Sequence, residues 1–162
     1  MRNLIFVDTE STGLADDEDA RIVELTWATM DSDPETLWFG VTEVPDFIDK
    51  LISFTPRGIA GRVSDHFAVE RFLKASDDNT IVAANPSHDM HFIKEAGLWK
   101  FHYRMLDIES FAMAKLRLDY MPSMKQLELL LKERGYTITE PDHTSRNDVL
   151  AMRDSYKAMM RI

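Results

Sequence analysis

An α/β fold, with a mixed sheet carrying helices on its faces, is what this sequence predicts, and three observations predict it. Three apolar or alternating segments joined by short connections occupy the first 44 residues. After about residue 63 the apolar period changes from two towards 3.6. From there helix-like and strand-like segments alternate.

The elements follow in order. "LIFV", Leu4 to Val7, is a short buried strand running straight into Asp8, with Glu10 one residue further on. A polar, acidic loop from Leu14 to Ala20 leads to "RIVELTWATM", whose alternation places Val23, Leu25 and Trp27 on one face. The turn "DSDP" at 31–34 then delivers "TLWFGVTEV", completing an antiparallel meander. Residues 64–75 read as a helix with Phe67, Val69, Phe72 and Leu73 on one side. "TIVAAN" at 80–85 is a buried strand, 87–97 a helix ending near Gly97, and "RMLDI" a last strand leading into a helix that reaches about Arg117. In "PSMKQLELLLKERG", Ser123 stands three residues before Gln126 as a capping box and Gly135 is the stop. A final helix starts at Thr144 or Ser145 and runs to the end, with Val149, Met152, Tyr156 and Met159 as its docking face. With no repeat, low-complexity tract or linker, 1–162 is expected to form a single domain.

Composition narrows the function classes. No stretch is apolar for long enough to span a bilayer, and "LIFV" after Arg2 is too short for a signal-peptide core, so a soluble cytoplasmic protein is expected. The absence of cysteine removes disulfides, thiolate catalysis and cysteine metal sites. A net charge of −9, from 28 acidic and 19 basic residues, argues against coating long nucleic acid by phosphate neutralisation. It leaves room for an enzyme that holds a few nucleotides and carries its positive charge as bound metal.

Three places put carboxylates where chemistry is done. Residues two apart on a strand share a face, so Asp8 and Glu10 converge just past the strand, where open α/β sheets bind ligands. The same spacing recurs at Asp17/Asp19, Asp31/Asp33, Asp33/Glu35 and Asp107/Glu109, so the context of a buried strand and the "STG" turn distinguishes the first pair. Asp148 lies at the edge of the last helix's apolar stripe, with Arg146 and Arg153 as ordinary salt-bridge partners within reach, and His143 precedes it by five residues. Asp89 sits in the first turn of a helix that follows a strand exit, a position the helix dipole also favours without any function.

In their order along the chain, "DTESTGL", "NPSHDMHF" and "HTSRND" resemble the three motifs of the DnaQ-like DEDDh 3′-to-5′ exonucleases, over nearly the whole sequence. The resemblance implies a ribonuclease-H-like fold with a five-stranded mixed sheet flanked by helices. It implies that Asp8, Glu10, Asp89 and Asp148 bind two divalent ions, Mg²⁺ or Mn²⁺, that His143 is the general base, and that Gly13 and Leu14 hold the terminal nucleotide. Three positions depart from the family pattern: Ser11 replaces the usual Thr in the substrate-binding turn, His88 stands where Phe is common, and Ser145 follows the catalytic His by two.

The chemistry accounts for the residue types. Hard oxygen ligands suit Mg²⁺ or Mn²⁺, and two ions about 3.5–4 Å apart clamp the attacking and leaving oxygens of a phosphodiester displacement. Four carboxylates repel one another without such ions. An imidazole titrates near neutrality and suits proton abstraction from water. The resemblance implies that the substrate is the 3′ end of single-stranded DNA or RNA, degraded to nucleoside 5′-monophosphates, and a polymerase or other replication partner is compatible with the acidic balance. Trp99, Phe101 and Tyr103 offer either stacking surfaces or core packing, with Lys100 and Arg104 beside them. His66, His88, His91 and His102 read as surface or packing residues. Two rivals stand beside this reading: a non-cleaving nucleic-acid or polymerase-binding module of the same fold, and an aspartyl-nucleophile phosphatase, which Glu10 and His143 fit poorly.

Overall fold

The computed structural model describes residues 2–162. Its strands are β1 (Leu4–Ser11), β2 (Ile22–Ala28), β3 (Glu35–Trp38), β4 (Thr80–Ala83) and β5 (Met105–Asp107). They form one mixed sheet in the order β3-β2-β1-β4-β5, antiparallel across β3, β2 and β1 and parallel across β1, β4 and β5. The helices are α1 (Asp46–Ile52), α2 (His66–Ser76), α3 (Pro86–Glu95), α4 (Ile108–Leu116), α5 (Met124–Glu133) and α6 (Ser145–Met159). None of them is long and apolar enough to cross a membrane, among the described residues.

Strand alternation decides what covers each face. Ile5 and Val7 of β1 join Leu25 and Trp27 of β2 in a core with Phe72 of α2 and Ile93 of α3. Phe6, between them, points the other way, into a core with Ala28, Ile108, Leu127, Val149 and Met152 from β2 and α4–α6. Each fully buried side chain of this size contributes about 1.5–3 kcal/mol. Asp8 and Glu10 share the parity of Phe6, so β1 delivers them to the α6 side.

Most sequence-level elements lie within a few residues of their expected places. Asp65 caps α2 through Ala68 N–H, and Ser123 with Gln126 forms the reciprocal capping box of α5. Val149, Met152 and Met159 are buried on the α6 face, as the periodicity indicates. Four details differ. The third strand stops at Trp38 instead of continuing to Val44, because Gly40 turns the chain at φ 72° and its N–H pairs with Arg62 O. The chain then enters α1, a seven-residue helix too short to announce itself by period, seated by Ile48 and Ile52. Phe67 is 57% exposed, since the inward stripe of α2 is Ala68 and Phe72. Ile108 begins α4 rather than ending a strand, because the Asp107 side chain accepts Glu109 N–H and caps the helix there.

A candidate metal-binding and catalytic site

The parallel partner of β1 ends early. The β1/β4 ladder stops at Phe6 and Val82, whereas the antiparallel ladder to β2 continues to Ser11 and Ile22, with a bulge between Glu10 and Ser11. Asp8 and Glu10 therefore lie inside the strand rather than beyond it, at the stretch where one neighbour has withdrawn. Open edge N–H groups at such a stretch need a partner, and Asp89 supplies one. The chain leaves β4 through Asn85 in a left-handed turn (φ 56°) and starts α3 at Pro86. This places buried Asp89 so that its Oδ1 accepts from Thr9 N (2.8 Å) and Thr9 Oγ1 (2.9 Å).

Asp148 arrives from the opposite side. The N-terminus of α6 is fixed to β2 by a buried hydroxyl contact, Ser145 Oγ to Thr26 Oγ1 at 2.6 Å, which continues to Thr36 Oγ1 at 2.7 Å. The Asp142 carboxylate ties the loop to the start of α6, accepting from the Thr144 N–H and hydroxyl and from the Asn147 side-chain amide, while Asp142 N donates to Asp148 Oδ1 at 3.0 Å. Carboxylate oxygens of Asp8, Glu10 and Asp148 consequently lie within 4.8 Å of one another. Asp89 stays outside that triplet, its Oδ1 committed to Thr9, yet close enough for its charge to act on Asp8 and Glu10. Arg146 and Arg153 do not pair with Asp148: they donate to the carbonyls of Pro34 and Ser32.

Without a bound cation the four acids oppose ionisation. Burial, then the charges of Glu10, Asp89, Asp148 and Glu24, drive Asp8 well above the usual carboxylate range. Burial, Asp148 and Glu24 push Glu10 up to about 9 against the opposing charge of Arg57. Asp89 rises to about 7 by burial, although the Thr9 hydrogen bonds pull the other way. Asp148 rises to about 6 by burial, resisted by the amides of Asp142 and His143 and by the His143 charge. A compact set of hard oxygen donors that cannot all be charged together fits divalent cations such as Mg²⁺ or Mn²⁺.

His143 is exposed at the rim, in the left-handed region at φ 59°, a conformation costing a non-glycine residue on the order of 1 kcal/mol. Among the expected substrate-binding residues, Leu14 is 68% exposed, whereas Ser11 is buried and its hydroxyl donates to Gly13 O at 2.5 Å. A Cβ on Gly13 would meet the tip of the Asp17 side chain at 2.7 Å and Ala20 Cβ at 3.3 Å, so the loop packs closely against this position. His88 packs edge-to-face on Phe92 (5.0 Å) and lines a cavity of about 520 Å³ with Ala15, Ser87, His91 and Lys94; burial and then His91 lower its pKa.

The stacking alternative for the aromatics fails on position. Asp78 N bonds Lys100 O and His102 N bonds Asn79 O, so residues 99–104 lie by the start of β4, at the opposite end of the sheet from Asp8. Phe101 is core, edge-to-face with Phe72 at 5.8 Å. Two charged residues that the sequence reading did not single out belong to the site. Glu24, fully buried on β2, faces Glu10 across the ladder, and Arg57 forks onto it from the loop after α1. A glutamate inside an apolar strand was a readable signal for the first; nothing in the local pattern flags the second.

No family model matches the sequence, and no curated protein matches it. Solved structures do match. Exonuclease X in complex with 5′-overhanging duplex DNA is 16% identical, with a TM-score of 0.66 over 98% of this chain and 91% of that one. The nuclease domain of 3′hExo, a DEDDh family member bound to rAMP, is 13% identical, with a TM-score of 0.69 over 98% and 91%. Brucella melitensis NrnC with bound Mg²⁺ is 12% identical, with a TM-score of 0.56 over 99% and 73%. At these identities the likeness is one of fold: the five-stranded mixed sheet and its helices are those of these nucleases.

Proposed function

We propose that this chain is a metal-dependent 3′-to-5′ exonuclease of the DEDDh type, acting on single-stranded nucleic acid. The observation that carries the reading is the convergence of Asp8, Glu10 and Asp148 within 4.8 Å, with Asp89 beside them. The sharing of a fold with nucleases seen with DNA, rAMP and Mg²⁺ supports it.

Asp8, Glu10, Asp89 and Asp148 would hold two divalent cations. These supply Lewis-acid stabilisation of the scissile phosphate and the leaving oxygen. Asp89 also holds the β1 edge through Thr9, which fixes the strand bearing Asp8 and Glu10. His143 accepts the proton of the attacking water from the rim, on a loop tied to Asp148 through the Asp142 amide. The water oxygen bonds to phosphorus and the bond from phosphorus to the 3′ oxygen breaks, leaving a nucleoside 5′-monophosphate and a shortened strand whose released 3′ oxygen takes a proton from solvent to become a hydroxyl. Leu14, exposed three residues past the end of β1, would be the apolar wedge for the terminal base.

The test uses 5′-labelled single-stranded DNA and RNA of equal sequence with Mg²⁺, Mn²⁺ or chelator. Laddering from the 3′ end that needs metal and disappears in Asp8→Ala is the expected outcome, and the preferred strand names the substrate. Strands left intact under every condition would refute the activity and favour the non-cleaving module.

A further inference from the structure

Glu24 adds a fifth carboxylate to the cluster, on the α6 face of the sheet with Asp8 and Glu10. It is fully buried, opposite Glu10 in the β1/β2 register, and its charge adds to the repulsion felt by Asp8 and Glu10. A buried carboxylate needs a partner or a metal. Arg57 takes both of its oxygens, Nη1 to Oε1 at 2.8 Å and Nη2 to Oε2 at 2.7 Å. Arg57 is itself held: Nη1 reaches Ile52 O at 3.2 Å, and the guanidinium lies 5.7 Å from the Trp38 ring centroid. The side chain keeps 23% exposure, and its charge is felt by Glu10 and coupled to Asp142, in the loop that carries His143.

The planar fork matters here. A guanidinium engages both oxygens of a carboxylate at once and stays charged, whereas a lysine would leave one oxygen available. Glu24 without its fork would present hard donors beside Glu10, where a divalent ion would take them. Asp8, Glu10, Glu24, Asp89 and Asp148 carry five formal negative charges, and Arg57 reduces them to four, the formal charge of two divalent ions.

We propose, resting on the two-ion nuclease reading, that Arg57 is a positioning residue that withholds Glu24 from the metal site, so that Asp8, Glu10, Asp89 and Asp148 ligate without it and the site matches the charge of two ions. The test is Mn²⁺ binding by calorimetry without nucleic acid, on wild type, Arg57→Gln, Glu24→Gln and the double variant. Arg57→Gln, which frees Glu24 and adds a net negative charge, should bind Mn²⁺ about 10-fold more tightly or take up a further ion. Glu24→Gln, which keeps side-chain shape, should weaken binding by a comparable factor, and the double variant should return close to wild type. Turnover in Arg57→Gln should fall although metal is held more tightly.

If both single variants matched wild type in affinity and stoichiometry while melting at lower temperature, Arg57 would only hold the fold and the proposal would be overturned. Should Arg57→Gln not fold, Glu24→Gln and the double variant decide it: a weakened single and a restored double support the proposal, and any other pattern overturns it. If the variants show these shifts while the wild type cuts no strand, the nuclease reading would fall and the role of Arg57 would stand.

Discussion

Two clusters of buried carboxylate lie on this molecule and titrate in opposite directions. On α5, Glu128 is 1% exposed and lies between Lys125, 2.8 Å away, and Lys132, a partner one helical turn on. Burial alone would raise its pKa, but the hydrogen bonds and charges of the two lysines outweigh burial and lower it. At the end of β1, burial raises Asp8, Glu10, Asp89 and Asp148 together, and their charged neighbours are mainly other acids. Desolvation opposes the charged form in both places, and whether the protein's own cations answer it is what decides the direction. One cluster is complete as folded, and the other leaves its positive charge to be supplied from solution.

The contrast breaks most sharply at Asp8. Replacing it with alanine takes away the central donor of the triplet, and Mn²⁺ binding by calorimetry should be lost together with at least about 10²–10³-fold in turnover, the scale of removing one electrostatic stabiliser. Retention of both would mean that the acids are not metal ligands. His143→Ala comes next. It should slow turnover by about 10²–10⁴-fold with metal affinity little changed, as expected of a proton acceptor outside the ligand set. His143→Gly, which suits the left-handed backbone at φ 59°, should be equally slow and no less stable. A parallel loss of metal binding in either variant would place His143 among the ligands.

Much of this arrangement was legible in the sequence, for physical reasons that differ from part to part. An apolar strand running into Asp8 and Glu10 is local information, and period two is enough to put both on one face. The docking stripe of α6 is likewise local, and it carries Asp148 along its edge. The capping box of α5 needs only four consecutive residues. What could not be read depends on contacts distant in sequence. Asp89 reaches Thr9, 80 residues away, because β4 stops short. Arg57 meets Glu24 across 33 residues from a segment whose short helix and glycine turns carry no period. The aromatics near residue 100 were ambiguous for the same reason: only the sheet's directions reveal that they stand at its far end.

A smaller effect sharpens the comparison through pH. In the site, folded-state pKa values lie above those of the unfolded chain, so the native protein binds more protons between the two values. Its stability is then favoured in acid and declines as pH rises, first through about 6 for Asp148, then about 7 for Asp89 and about 9 for Glu10. In chelator, Tm should fall between pH 5.5 and pH 9, and Mg²⁺ should recover most of the loss at the alkaline end by binding the folded state. A chelated protein whose Tm rises steadily over that range would show that the acids are already compensated from within.

The smallest effect belongs to the cluster that is complete. Glu128→Gln keeps the side chain's shape and removes the charge that Lys125 and Lys132 satisfy. Both lysines are about half exposed, so solvent re-hydrates them and limits the cost. Tm near neutral pH should drop by about 2–4 °C. The sign of its pH dependence is opposite to that of the site. A lowered carboxylate pKa contributes stability above its unfolded value and loses it as pH falls through the folded one, so wild type and variant should converge in acid. Metal binding and strand cleavage should be untouched, because α5 shares the α6-side core with the site and none of its charges. A change in Mn²⁺ affinity in Glu128→Gln would mean that the two clusters are coupled through α6, and that the division between a self-neutralised and a metal-neutralised region does not hold.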